Sequence, residues 1–88
     1  MRVNPNFEFV NVANDYMLIP VGEEMERFKG TVVLNEVSSF VLEQLKSGLT
    51  EDDIVKSIIE EYDVDLNTAK ADVHEALSRL KILGIIYD

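Results

Sequence analysis

An α+β fold, with a three-stranded antiparallel sheet followed by three helices, is predicted by the order in which apolar patterns change along the chain. Short runs of aromatic and β-branched residues fill the first third, and apolar residues at three- and four-residue spacing fill the rest. The two patterns are segregated rather than alternating, which argues against βαβ units. Length and composition agree with one folded domain over residues 1–88. The chain has 47% hydrophobic and 28% charged residues, enough apolar surface to offset the entropy of ordering a backbone.

Phe7 to Val12 and Tyr16 to Ile19 read as the first two strands, separated by a turn at Ala13-Asn14, and together they form a hairpin. Pro20 cannot donate a ladder hydrogen bond, so the second strand is expected to end at Ile19. The acidic stretch Glu23-Glu24-Met25-Glu26 reads as a solvated hairpin tip, and Phe28 to Leu34 as the third strand. Asn35 is an N-cap residue with Glu36 in the first turn. Val37, Phe40, Val41, Leu42 and Leu45 then keep helical spacing until Ser47-Gly48. Thr50-Glu51-Asp52-Asp53 resembles a capping box with Asp in the third helical position, and Ile54, Val55, Ile58, Ile59 and Tyr62 follow on one face. The third helix begins between Asp65 and Thr68 and runs through Val73, Ala76, Leu77 and Leu80. Gly84 is expected to stop it in a left-handed conformation, with Ile85 folding back near Leu80. Ile85-Ile86-Tyr87 has the composition of a short terminal strand.

The side-chain inventory argues against catalysis. There is no cysteine and one histidine, and the helical neighbours of His74 (Lys70, Ala71, Leu77 and Ser78) neither orient an imidazole nor share a metal. The expectation is therefore a non-enzymatic chain with no catalytic residue, metal or cofactor. The glycines are isolated, with no phosphate-cradling loop among them. Neither a signal-peptide core nor a membrane span is visible, and a cytoplasmic location is expected. The formal net charge of −9 opposes nucleic acid, and the acids concentrate between Thr50 and Asp65, where seven accompany one lysine. The cations outside that stretch include Arg27 and Lys29, then Lys70, Arg79 and Lys81. Binding is the better prospect: the third strand lies at a sheet edge in sequence-order pairing, and an edge either accepts an added strand, from a peptide or a second copy, or is covered by the helices or the C-terminal strand.

Val33-Leu34-Asn35 leading into the first helix, Gly48-Leu49-Thr50 with acids before Ile54, Glu61-Tyr62-Asp63-Val64, Asp72-Val73, and Leu80 followed by Gly84-Ile85-Ile86 together resemble the PqqD family, the pyrroloquinoline-quinone biosynthesis protein D group. The resemblance covers roughly residues 7 to 87. It implies a winged helix-turn-helix-like fold and the role of peptide-recognition element in pathways that modify ribosomally made peptides. In such a protein a precursor's leader peptide lies as a fourth strand on strand three, beside helix three. It is presented there to a modifying enzyme, often a radical S-adenosylmethionine protein.

By that resemblance the peptide-binding residues are Phe28, Lys29, Gly30, Thr31, Val32, Val33 and Leu34 on the strand, with Lys70, Asp72, Val73, His74 and Leu77 on the helix. The two cation groups fall on or beside these elements, and a locally less acidic groove would favour an acidic leader. Phe40-Val41 stands where the family often has Trp, and Ala76 where it often has Phe; the smaller Ala76 either enlarges the pocket receiving leader side chains or is repacked by a neighbour. Two competing readings are a small winged-helix DNA-binding regulator and a structural subunit that forms a homodimer through the strand-three edge. Against the regulator, Leu66 to Asp88 carries as many acids as cations and lacks the Arg, Asn and Gln set that reads base edges.

Overall fold

Alternation of Phe7, Phe9 and Tyr16, Leu18 with outward residues builds the hairpin at the centre of the molecule. The computed structural model describes residues 1–13 and 15–88, so Asn14 of the expected Ala13-Asn14 turn lies outside the described residues. In chain order the elements are β1 (Arg2–Val3), β2 (Phe7–Val12), β3 (Asp15–Pro20), α1 (Glu24–Arg27), β4 (Val32–Leu34), α2 (Glu36–Lys46), α3 (Glu51–Tyr62), α4 (Leu66–Ile82) and β5 (Ile86–Tyr87). The main sheet is antiparallel with order β2-β3-β4, so the fold is α+β as expected. Phe7, Leu18 and Leu34 on one face of that sheet join Val41 and Leu42 of α2, Ile54 and Ile58 of α3, and Val73 and Leu80 of α4 in a single buried core.

Each long helix starts where its local chemistry dictates. Asn35 Oδ1 accepts the Ser38 N–H at 2.7 Å, and Asp65 Oδ1 accepts the Thr68 N–H at 2.7 Å. Thr50 and Asp53 form the reciprocal capping box: Asp53 N–H donates to Thr50 Oγ1 at 3.2 Å, and Thr50 N–H to Asp53 Oδ2 at 3.3 Å. At the end of α4, Gly84 has φ +74°, and the Ile85 N–H returns to the Leu80 carbonyl at 2.9 Å, burying Ile85 as expected.

Three local expectations are corrected. The third strand does not extend from Phe28 to Leu34 but occupies Val32–Leu34 alone. Phe28 instead closes α1, its N–H reaching the Glu24 carbonyl at 2.9 Å and its ring meeting Phe7 edge-on at 5.2 Å. Gly30, at φ +105°, interrupts the extended run between them. The acidic stretch forms a short helix rather than a hairpin tip: Glu23, Met25 and Glu26 are exposed as expected, but Glu24 lies buried in α1. Pro20 belongs to β3, and its missing N–H costs nothing, because its nitrogen points past the end of β4, whose pairing stops at Leu18↔Val32.

The expected terminal strand forms over Ile86–Tyr87, whereas the strand it pairs with had no local signal. Ile86–Tyr87 pairs with Arg2–Val3, and Asn4 ties this two-stranded sheet to the rest. Asn4 N–H donates to the Ile85 carbonyl at 2.7 Å, and its Nδ2 donates to the Gly84 carbonyl at 3.0 Å and to Glu24 Oε1 at 3.4 Å. Its Oδ1 accepts the Asn6 N–H at 2.9 Å. Arg27 Nη1 reaches the same Glu24 oxygen at 3.5 Å. A buried carboxylate is tolerated here because its oxygen has partners.

Two predictions follow from these contacts. Asn4→Ala leaves Glu24 with Arg27 alone and takes the side-chain donor from the Gly84 carbonyl, so urea unfolding should show a loss of about 1–3 kcal/mol. Hydrogen exchange in Arg2–Val3 and Ile86–Tyr87 should also accelerate, and an unchanged unfolding midpoint would contradict this role for Asn4. The second concerns acid. Hydrogen bonds from Thr50 hold the Asp53 carboxyl below its ordinary value of 3.8, and those from Thr68 do the same for Asp65. A carboxyl depressed in the folded state adds stability that is complete above the ordinary value and is lost as pH falls through the depressed one. Asp53→Asn with Asp65→Asn keeps capping oxygens without the charge. The double variant should therefore lose less melting temperature than the parent between pH 4 and pH 2, as read by circular dichroism.

Candidate peptide-binding edge and cleft

The hydrogen-bond parity of the sheet follows from one bond and the register. Val21 N–H donates to the Asn6 carbonyl at 2.8 Å, one step before the Phe7↔Pro20 pair. Antiparallel pairs alternate, so Glu8↔Ile19, Val10↔Met17 and Val12↔Asp15 exchange bonds, while Tyr16 and Leu18 direct theirs away from β2. Those bonds go to Leu34 and Val32 of β4. Val33 therefore points its N–H and C=O outward, from an edge on which no strand pairs among the described residues. Thr31, just before the strand, shares the parity of Val33. The Val33 side chain stands on the face turned away from the helices and is 64% exposed.

Beyond this edge a cleft of about 150 Å³ is lined by Asn35, Val37 and Ser38 at the start of α2 and by Asp72, Glu75, Ala76 and Arg79 of α4. The α4 residues sit at helical spacing on one flank. Ala76 and Ser38 are buried and Val37 is partly buried, which makes the floor small and mixed in polarity. Arg79 Nη2 pairs with Glu75 Oε1 at 2.8 Å. Asp72 is half-buried and has no ion pair or hydrogen bond among the described residues.

The expected site residues separate into four groups. Lys29, Gly30, Thr31, Val32, Val33 and Leu34 lie on or just before the free edge, while Phe28 packs onto Phe7 behind it. Asp72 lines the cleft. Val73 and Leu77 are enclosed in the core at 0% and 4% exposure and offer a ligand no surface. Lys70 and His74 are exposed, but at about 100° per residue they project from the flank opposite Asp72 and Arg79, and they do not line the cleft. The cations do not assemble into a basic groove either. Arg27 faces Glu24 at 3.5 Å, Arg79 faces Glu75, and Lys81 lies 3.7 Å from Asp88. The expectation of an acidic leader loses its basis. Asn35, Val37, Ser38 and Glu75 were not anticipated as lining, although the spacing of Asp72, Glu75, Ala76 and Arg79 marks one helix flank.

No three acidic or histidine side chains among the described residues gather in a way that could hold a metal ion. No helix of the described residues is long and apolar enough to cross a membrane.

A short edge strand, unpaired on its outer side among the described residues, runs directly into a helix start, with a second helix across a cleft. The chain belongs to the family described as coenzyme PQQ synthesis protein D (PqqD), whose model matches residues 16–86. Two solved structures share the fold. One is described as TbiB1 in complex with the TbiA(beta) leader peptide, with 21% identity, full coverage of both chains and a TM-score of 0.80. The other is described as lasso peptide synthetase B1 complexed with the leader peptide, with 20% identity, 99% of this chain and 96% of that chain covered, and a TM-score of 0.82. No curated protein matches this chain.

Proposed function

We propose that this chain is a non-catalytic adaptor that takes the leader segment of a precursor peptide as a fourth strand on β4 and presents it to a modifying enzyme. The observation that carries the reading is Val33, whose backbone donor and acceptor both face out from a bare edge beside a cleft. Both structures of similar fold are leader-peptide complexes, which supports the same use here. The modifying enzyme is expected to be of the radical S-adenosylmethionine class that often accompanies the family. Residues 1–88 act as one domain in the cytoplasm, with no cofactor of their own and no nucleic acid partner. A second copy of the chain is the competing occupant of the edge, but a charge of −9 on each copy works against it.

Proline at adjacent positions of β4 tests this reading, because Val32 bonds inward to Leu18 and Val33 bonds outward. Val32→Pro should lower stability by a few kcal/mol, the sum of a lost ladder bond and ring strain. Val33→Pro should melt like the parent but bind the leader of a precursor encoded in the same genome at least about fivefold more weakly, the equivalent of one hydrogen bond near 1 kcal/mol. The readouts are thermal melts, calorimetric titration with the synthetic leader, and size-exclusion mass. Undiminished leader binding by Val33→Pro would remove β4 as the site. A parent dimer that Val33→Pro converts to monomer, without leader binding, would favour self-pairing.

A further inference from the structure

Given strand addition on β4, as proposed above, the register fixes which peptide side chains meet which part of the protein. Residues directly opposite each other in an antiparallel pair share a face, and neighbours alternate. A peptide residue opposite Val33 therefore lies on the outer face, continuing the cross-strand row Val10, Met17 and Val33. That row is apolar, with Val10 and Met17 partly buried and Val33 exposed, so an apolar, β-branched residue extends it best. The peptide residue opposite Leu34 falls on the helix side, because Leu34 is buried there, and the next residue of the protein, Asn35, lines the cleft.

We infer that the cleft beside α4 selects a leader with Lys or Arg opposite Leu34, adjacent to a branched apolar residue opposite Val33. The floor of Val37 and Ala76 accommodates an aliphatic stem, while Asp72 offers its carboxylate at the rim. Glu75 and Arg79 neutralise each other at 2.8 Å, so Asp72 supplies the net charge of the α4 wall. The overall charge of −9 steers a cationic segment toward the protein in the same sense.

The test uses blocked ten-residue peptides of threonine and alanine with one central valine. Lys, Arg, Ala, Leu or Glu is placed on one side of that valine or the other, and each peptide is titrated against isotope-labelled full-length protein by NMR. Lys or Arg on one side of the valine, and not on the other, should bind about two- to fivefold tighter than Ala, the range of a partly exposed ion pair. Asp72→Asn should erase that advantage, and Asp72→Lys should transfer it to Glu. If the Val33 amide responds to the peptides but Lys and Arg gain nothing, or keep their gain in Asp72→Asn, the selection is overturned while strand addition stands. If the Val33 amide responds to no peptide, strand addition fails and the selection fails with it.

Discussion

The structure depends on one alternation, that of the inward and outward hydrogen bonds of the sheet, and its phase is set at the Asn6–Val21 bond of 2.8 Å. A slip of one residue would exchange every core side chain of the hairpin for a solvent one. Asn4 holds that phase in place, accepting the Asn6 N–H while bonding the Ile85 and Gly84 backbone. The chain end after α4 thus fixes where the first long strand begins. The same phase sends the bonds of Tyr16 and Leu18 to β4 and leaves those of Val33 pointing outward.

What was legible in the sequence was what short-range chemistry decides. Asn35, Thr50-Asp53, Asp65 and Gly84 mark helix ends with partners three to five residues away, and all four act as their residue types require. The length of β4 was not legible, because apolar residues from Phe28 to Leu34 suit an extended run as well as they suit a helix end followed by a turn. Packing decides between them: Phe28 is held by Phe7, and β3 pairs with β4 only from Tyr16 to Leu18. Burial of Glu24 was hidden for a similar reason, since its partner Asn4 lies twenty residues away.

The site shows the same division. That β4 lies at an edge follows from sequence-order pairing, yet whether Val32 or Val33 faces outward requires the register. On α4 the apolar spacing identifies the buried face through Ala69, Val73, Ala76 and Leu80, but it does not say which of the two polar flanks turns toward α2. Lys70 and His74 fall on one flank, Asp72 and Arg79 on the other, and only the placement of Asn35 and Val37 separates them. Charge sums along the chain mislead here, because Arg27, Arg79 and Lys81 each lie against an acid.

A three-residue edge also bounds how tightly anything can be held on it. Val33 has one outward donor and one outward acceptor, and two such bonds at about 1 kcal/mol each give about 2 kcal/mol. That is less than the cost of immobilising a flexible peptide, which runs to at least about 4 kcal/mol. On the proposed reading the remainder comes from side chains seated on the outer row of Val10, Met17 and Val33 and in the cleft lined by Asp72. In the proposed complex, backbone bonding on β4 would accordingly set direction and register, whereas identity would be read by the side chains that alternate to either face. Keeping the edge short, with Gly30 at φ +105° ending it, also limits pairing between copies of the protein, which a longer bare strand would invite. An adaptor must hold a peptide long enough for a separate enzyme to act and then release it. A strand of this length would meet both demands, because on the proposed reading its backbone contributes orientation and little of the affinity.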